Sequence, residues 1–361
     1  MTGNTRNIET AYAKRSKRWK LTLTLLVIAL FLTVFVSLNI GFSYISFSEV
    51  LSILGKQIPL LNSTIDPNSF LPTTESIIIN IRLPRILAGV VIGAGLAASG
   101  VLYQGVFKNP MADPYVLGVS AGASVGAGIG ILFGSGLSLF GFPIVPTTAF
   151  IAALATIFVV YNISRAGSRV PEMTLLLSGI AITIFLSAIY QIMQVIAANY
   201  DLHALVNWTI GGIANIGWNS VLTITPFIIV GVVISFFFSR DLNMMSLGGD
   251  TAQHLGVNTE RTKKILLTLG ALMTAAAVSV SGLIGFVGLM IPHITRLIMG
   301  PDHRLLLPAS VIVGAIFLVI CDAIARILTG AAELPVGAIT ALTGGPFFIF
   351  LLRRKKMRYR M

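Results

Sequence analysis

Two arginines frame a proline in the tetrapeptide RLPR at residues 82–85, directly before a segment, 86–107, that carries no charge. A guanidinium group can pair with a carboxylate through two parallel hydrogen bonds, so arginine suits the recognition of an acidic partner. A further arginine, Arg326, follows Asp322 by four residues inside another apolar segment. On a helix this spacing lets the two side chains pair across one turn. Such a pair either marks a functional site or neutralises itself.

Other residues match catalytic motifs without the context that those motifs need. GVSAG at 118–122 fits the G-x-S-x-G pattern of serine hydrolases around Ser120, which requires a strand–turn–helix setting with histidine and carboxylate partners. Four scattered histidines form no H-E-x-x-H motif, and Cys321 alone can make no internal disulfide, so we expect no metal site. Without a G-x-x-x-x-G-K-[ST] motif, the chain does not hydrolyse ATP through a P-loop. An intramembrane enzyme built on Ser120 is one hypothesis.

The elements that position these residues are membrane helices. Of the 361 residues, 55% are hydrophobic and 11% are charged, whereas soluble domains carry about a quarter charged residues. Long apolar runs and 35 glycines favour helices over a barrel, whose strands alternate in polarity. The first apolar run is too long for a signal peptide and lacks a small-residue cleavage site. The sequence therefore predicts an all-α integral membrane protein.

We predict ten spans: 21–40, 86–107, 115–134, 144–163, 173–197, 221–238, 265–281, 287–299, 306–327 and 335–352. Basic residues cluster in a tail at 1–20, in a tail at 353–361 and on alternate loops, which places both termini in the cytoplasm. This distribution explains the net charge of +12 by membrane orientation and anionic headgroups rather than by nucleic acid. Residues 21–352 form one transmembrane domain.

Four basic residues remain on the predicted outer side: Lys56, Arg82, Arg85 and Arg326. The three arginines lie close to helix ends, against the usual bias. They could extend to lipid headgroups, as arginines at helix ends often do. Alternatively, they could form a docking site for an acidic partner. Position alone leaves these two interpretations open.

The third span carries a glycine at every fourth position: Gly118, Gly122, Gly126, Gly130 and Gly134. On a helix this spacing produces a groove that another backbone can approach closely. We therefore interpret these glycines, and GVSAG among them, as a packing surface.

The longest inner loop, 239–264, has features of a structured surface. Gly248 and Gly249 interrupt it, Asp250 is a suitable N-cap for TAQHL, and Gly256 can end that short helix. We predict two small helices on the cytoplasmic face. Apolar contacts for a protein partner would come from Leu247, Ala252 and Leu255. A simple interfacial loop is the alternative.

Two proline-containing segments on the predicted inner side, 108–114 and 169–174, interrupt the helical pattern, and we call them the first and second inner corners. Pro110 and Pro114 end the second span within KNPMADP, 108–114, and a proline also stands in RVPEMT, 169–174. Non-helical backbone at membrane depth is tolerated where it is buried or lines a cavity. The corners could form a gate, or they could be ordinary loops.

Several blocks, in order and at characteristic spacing, resemble the FecCD-type permeases of ABC importers for iron–siderophore, haem and cobalamin. The blocks are RLPRILAGVVIGAGLAASGVLYQGVFKNPMADPYVLGVSAGAS, LGGDTAQHLGV, SGLIGFVGLMIPHITRLIMGPDHRLLLPAS and DAIARIL with ELPVGAITALTGGPFF. The resemblance covers residue 80 onward. It implies a BtuC-like type II architecture in a prokaryotic cytoplasmic membrane, with a second permease subunit, identical or related. Two separate ATPase subunits would consume ATP–Mg, this chain would bind no cofactor, and an extracytoplasmic substrate-binding protein would dock outside.

The resemblance also implies roles for particular residues. Binding-protein docking would fall to Arg82, Arg85 and Arg326. ATPase coupling would fall to Leu247, Gly248, Asp250, Ala252, Leu255 and Gly256. The cytoplasmic gate would include Asn109, Met111, Glu172 and Met173, although cobalamin permeases have small hydroxyl residues where this chain has the last two. A partner-independent secondary transporter or channel is the competing hypothesis, but it usually requires ionisable residues deep in the membrane, and only Asp322 and Arg326 come close.

Overall fold

The computed structural model describes residues 2–41, 45–59, 70–134, 136–139, 142–167, 170–329 and 334–358. Among them, seven helices are long and apolar enough to cross a membrane, and three shorter apolar helices, Val119–Phe133, Val287–Met299 and Val336–Leu351, accompany them. All ten predicted spans fall on these helices, so the predicted all-α membrane fold is confirmed. Below, the inner end of a helix is the end that the basic residues assign to the cytoplasm.

The first half of the described chain runs from the N-terminal helix to the outer end of the fifth span. Its elements are α1 (Thr2–Asn39), α2 (Phe47–Lys56), α3 (Pro72–Ser76), a π-helical turn (Ile77–Arg82), α4 (Leu83–Val106), a 3₁₀ turn (Pro114–Leu117), α5 (Val119–Phe133), the two-residue strands β1 (Ser138–Leu139) and β2 (Phe142–Pro143), α6 (Ile144–Ile163) and α7 (Glu172–Ile196). Strands β1 and β2 pair antiparallel, with Ser138 opposite Pro143. The predicted N-terminal tail is thus the first part of helix α1.

The second half contains the inner loop and the last four spans. Its elements are α8 (Asn199–Ile210), α9 (Trp218–Phe237), α10 (Ser239–Ser246), α11 (Gly249–His254), α12 (Thr259–Ser281), α13 (Val287–Met299), α14 (His303–Thr329) and α15 (Val336–Arg358). The sequence did not predict α8, because NYDLHALVNWTI intersperses polar residues and lacks a membrane-length apolar run. The loop that follows α8 is fixed by a hydrogen bond in which Gly212 N–H donates to Ser281 O at 2.7 Å.

Helix α4 is the centre of the fold and is buried along most of its length. Small residues let its neighbours approach backbone to backbone. A Cβ atom on Gly93 would lie 2.3 Å from Gly314 O of α14, and one on Gly100 would lie 1.8 Å from Gly288 O of α13. Membrane helices associate largely through such close van der Waals packing, because lipid supplies little hydrophobic driving force between them. Helix α4 therefore positions both of its ends rigidly.

The glycines of α5 pack against α6, as predicted. A Cβ atom on Gly122 would lie 2.1 Å from Thr156 Oγ1, and one on Gly126 would lie 2.3 Å from Thr148 O. Ser120 lies in the first turn of this helix, after a 3₁₀ turn rather than after a strand. The GVSAG segment therefore lacks the strand–turn–helix setting of a serine hydrolase nucleophile.

Candidate functional site at the outer and inner ends of the central helices

The first candidate site is a charged cluster at the outer ends of α4 and α14, formed by Arg82, Arg85, Asp322 and Arg326. The π-helical turn ends at Arg82 and α4 begins one residue later, so Arg82 and Arg85 lie about one helical turn apart. The sequence interpretation treated the arginines as surface groups, and on this point it was wrong. The exposed fractions of Arg82, Arg85 and Arg326 are 6%, 4% and 7%. The end of α1 contacts Arg82 and Arg326, and Asp322 of α14 contacts Arg85.

One carboxylate joins two of the arginines. Asp322 Oδ1 accepts a hydrogen bond from Arg85 Nε at 2.9 Å, and Asp322 Oδ2 forms an ion pair with Arg326 Nε at 3.1 Å. The predicted pairing of Asp322 with Arg326 within α14 is therefore present. The link to Arg85 ties α14 to α4 as well, which spacing within one helix could not reveal.

Backbone oxygens at the end of α1 complete the cluster. Arg82 Nη1 donates to Leu38 O at 2.7 Å, and Arg326 Nη1 donates to Ser37 O at 3.1 Å. Arg326 also donates to the hydroxyl oxygen of Ser37 and to the carbonyl oxygen of Ile40. The last carbonyls of a helix have no intrahelical partners and carry partial negative charge. The C-terminus of α1 thus stabilises the guanidinium groups of Arg82 and Arg326.

The second candidate site is the inner segment formed by α10 and α11, which confirms the two predicted helices. Helix α11 ends in a Schellman motif, since Val257 N–H donates to Ala252 O and Gly256 N–H donates to Gln253 O, both at 2.9 Å. Gly256 has φ +88°, as a predicted helix-ending glycine should. The predicted N-cap was wrong: Gly248 occupies the cap and Asp250 lies in the first turn, where its charge favours the helix dipole.

The apolar residues of this segment divide into buried and exposed ones. Leu247 and Leu255 are 68% and 56% exposed, which suits contact with another protein. Ala252 is fully buried against Met245 and Val257. The expectation that Ala252 presents a surface contact is therefore wrong, because its small side chain lets α11 pack onto α10.

A polar network that the sequence did not predict fixes α10 to the start of α14. Asn243 Nδ2 donates to Asp302 Oδ1 at 2.8 Å, and Asn243 Oδ1 accepts from His303 N–H at 2.9 Å. Arg304 Nη2 donates to Asp302 Oδ2 at 2.8 Å, and this bond holds the pKa of Asp302 well below its ordinary value. Asp302 directly precedes α14, and an aspartate at a helix start was the sequence signal for part of this network.

The two inner corners contain the residues that the family resemblance assigns to the gate. Asn109 Oδ1 accepts a hydrogen bond from Met111 N–H at 3.0 Å, and both side chains are exposed. At the other corner, Glu172 begins α7 and Met173 is 71% exposed. The first residue of RVPEMT, at position 169, lies outside the described residues.

Both corners reach the same cavity. It has a volume of about 220 Å³ and is lined by residues of the corners and of the inner segment, among them Lys108, Glu172, Asp250, Glu260 and Lys263. Asn109, Met111 and Met173 do not line it. The structure therefore brings Glu172 next to the α10–α11 segment and leaves the other three gate candidates outside this cavity.

The first corner also holds a carboxylate with an unusual environment. Asp113 Oδ1 accepts a hydrogen bond from Tyr115 N–H at 2.7 Å. Burial raises the pKa of Asp113 to about 6, although this hydrogen bond opposes the rise.

The fold is that of a multi-span helical membrane protein with a buried central helix and a folded inner segment. The FecCD transport family model matches residues 27–354. The cobalamin import system permease protein BtuC of Halobacterium salinarum is 43% identical over 288 residues, covering 80% of this chain and 76% of that protein. The Fe(3+)-citrate import system permease protein YfmD of Bacillus subtilis is 36% identical over 352 residues, covering 95% and 98%. The chain therefore belongs to the FecCD transport family of ABC transporter permeases.

A solved structure supports the same conclusion for the fold. An inward-facing conformation of a metal-chelate type ABC transporter superposes with a TM-score of 0.78 at 31% identity, covering 92% of this chain and 98% of that one. The resemblance inferred from the sequence blocks is thereby confirmed.

Proposed function

We propose that this protein is the membrane-spanning subunit of an importer that brings an iron–siderophore complex into the cytoplasm across a prokaryotic cytoplasmic membrane. The relatives are named for the import of cobalamin and of ferric citrate, and the similar structure is of a metal-chelate transporter. These cargoes share one chemistry, a metal ion held in an organic chelate. Haem and cobalamin are the alternative cargoes.

The observation that carries the proposal is the folded inner segment, with two exposed leucines on a chain that has no P-loop. We propose that separate ATPase subunits, using ATP–Mg, bind at this segment and that Leu247, Gly248, Asp250, Leu255 and Gly256 shape the contact. Binding that differs between two conformations shifts their populations. ATP binding can thereby move the permease between outward-open and inward-open states.

We further propose that this subunit pairs with a second permease, identical or related. Helix α7 offers an apolar surface for this pairing, since most of it is exposed, including Leu177, Ile184 and Phe185. Cargo would pass between the two subunits and through the inner gate, for which Asn109, Met111, Glu172 and Met173 remain the candidates.

An extracytoplasmic binding protein would deliver the cargo by docking over the charged cluster at Arg82, Arg85 and Arg326. The carbonyl oxygens at the end of α1 occupy guanidinium donors of this cluster. Docking through these donors therefore requires the end of α1 to move aside, so that carboxylates of the binding protein replace its carbonyls.

The docking proposal is tested by the affinity of the binding protein for Arg82→Gln in reconstituted nanodiscs. Lys56→Gln is the matched control, because Lys56 lies on the same predicted side but pairs with Glu75. We expect the loss of a charged contact to weaken affinity at least several-fold for Arg82→Gln alone. Equal affinities for the two folded variants would contradict docking at this cluster.

The transport proposal is tested by uptake into proteoliposomes that contain this chain and its ATPase subunits, with the binding protein added outside. A panel of radiolabelled ferric siderophores, haem and cobalamin identifies the cargo. We expect ATP-dependent accumulation of one ferric siderophore. Accumulation that needs an ion gradient and no ATP would support a secondary transporter instead.

A further inference from the structure

Charged side chains join the inner segment to the start of α7. Lys263 Nζ lies 2.8 Å from Glu172 Oε1 and 3.8 Å from Glu260 Oε1. Glu260 Oε2 also accepts a hydrogen bond from Val170 N–H at 3.2 Å. Lys263 and Glu260 belong to the first turns of α12, whereas Val170 and Glu172 belong to the second inner corner. Two independent polar contacts thus connect these elements.

The first turns of α12 are in turn fastened to α10 and α11. Gln253 Nε2 of α11 donates to Thr259 Oγ1 at 3.0 Å, and Thr262 Oγ1 donates to Asp241 Oδ2 of α10 at 3.4 Å. Asn258 caps α12 by accepting from Arg261 N–H. These contacts tie α10 and α11 to the first turns of α12, which carry Glu260 and Lys263.

The connection to α7 is suited to making and breaking. The side chains of Lys263, Glu172 and Glu260 are 20%, 36% and 35% exposed, and the 220 Å³ cavity lies beside them. Ion pairs in contact with water are weak and sensitive to salt, so the pair can open at little cost. A buried pair could not exchange partners so easily.

We propose that Lys263 and Glu260 are positioning residues that transmit movement of the α10–α11 segment to Glu172, and so to the inner end of α7. This inference rests on the proposed function, since the driving movement comes from the ATPase subunits. The ion pair between Lys263 and Glu172 holds the corner in the conformation described here. Its rearrangement accompanies opening of the inner end of α7.

The test compares Lys263→Met with Lys264→Met in the full complex, reconstituted in proteoliposomes. Lys264 is the matched control, because it is the next residue along the chain and faces an aromatic ring instead of a carboxylate. Its Nζ lies 5.9 Å from the centroid of the Tyr161 ring. The quantity measured is cargo taken up per ATP hydrolysed. We expect Lys263→Met to lower this ratio by about two- to five-fold, the size of a partly exposed ion pair, while ATP hydrolysis continues.

Charge exchange separates transmission from mere structural support. Glu260 also lies 3.8 Å from Lys263, so the exchange is made in a Glu260→Gln background, which avoids two adjacent carboxylates and keeps an acceptor for Val170 N–H. In that background, Glu172→Lys with Lys263→Glu restores opposite charges at the same two positions, and we expect uptake per ATP to return to within about two-fold of Glu260→Gln alone. Equal ratios for Lys263→Met and Lys264→Met, or no recovery on charge exchange, would overturn the inference alone. Failure of the unaltered complex to couple ATP hydrolysis to uptake would overturn the proposed function and the inference with it.

Discussion

The outer and inner charged clusters use the same kinds of side chains in opposite surroundings. At the outer ends of α4 and α14, Asp322 is 1% exposed. It pairs with Arg85 and Arg326, which are 4% and 7% exposed. At the inner end, the side chains of Lys263 and its carboxylate partners are 20% to 36% exposed. The outer cluster joins three helices through buried bonds, whereas the inner cluster joins two elements through bonds that water can replace.

The difference indicates which cluster contributes more to the free energy of unfolding. Removing one member of a buried pair leaves a charge without compensation, which costs far more than removing one member of an exposed pair. We therefore expect the outer cluster to determine stability and the inner cluster to determine coupling.

The largest effect is expected from Asp322→Ala. Both Arg85 and Arg326 would then be buried without their carboxylate, and we expect a loss of about 3–5 kcal/mol in the free energy of unfolding. Thermal unfolding of the purified protein in detergent measures it. Glu260→Ala is the control in the inner cluster, with an expected loss below about 1 kcal/mol. Similar losses for the two variants would contradict the claim that the outer cluster contributes more to stability than the inner cluster.

A smaller effect is expected from Ser37→Ala at the end of α1. Its hydroxyl accepts a hydrogen bond from the guanidinium of Arg326, and bonds to charged groups contribute about 1.5–3 kcal/mol. Thr33→Ala on the same helix is the matched control, since Thr33 Oγ1 donates only to Ala29 O. Hydrogen exchange at the end of α1 reports the result. Equal exchange rates in the two variants would show that the cluster does not hold this helix.

The corner at Asp113 offers a carboxylate whose described partner is a backbone amide instead of an arginine. Its folded pKa of about 6 exceeds its ordinary value, so the folded state binds the proton more tightly. Stability from this group is therefore present at low pH and is lost as pH rises from about 4 to about 6. As pH rises from about 4.5 to about 7.5, we expect the free energy of unfolding of Asp113→Asn to increase by about 1–2 kcal/mol relative to that of the original chain. Thermal unfolding at each pH measures this difference. A constant difference across that range would contradict the raised pKa.

The smallest effect is expected from salt. Raising the ionic strength from about 0.05 M to about 0.5 M shortens the screening length several-fold. The difference in coupling between Lys263→Met and the original chain should shrink, because salt weakens the exposed pair in the original chain. The stability lost in Asp322→Ala should change little, since that pair is shielded from solvent. A strong salt dependence of the outer cluster would contradict its burial.

The spans were predictable because hydropathy along about 20 residues is a direct physical requirement for crossing a bilayer. Helix α8 did not meet this criterion and was not predicted, because Asn199, Asp201 and His203 interrupt its apolar residues. The ends of α11 were partly predictable, since Gly256 adopts the positive φ expected of a helix-ending glycine. Its start was not, because Gly248 and Asp250 were both acceptable at the cap position.

The location of the three arginines was predictable, but their burial was not. Arg82 and Arg326 bond to backbone carbonyls of Ser37, Leu38 and Ile40, more than 40 residues away along the chain. Every residue type offers the same carbonyl oxygen, so no side-chain pattern identifies these acceptors. The pair of Lys263 with Glu172 likewise joins residues that are distant in sequence, and only the packing of α12 against the second corner reveals it.

The account rests on the claim that this chain works as the permease of an ATP-driven importer. The most direct measurement is purification of the chain from its own membrane in a mild detergent, with mass spectrometry of the intact complex. We predict two copies of a P-loop ATPase for each pair of permease subunits, with Leu247 and Leu255 of this chain protected from labelling in the complex. A stable oligomer without an ATPase, under conditions that preserve a known importer of this kind, would contradict the account.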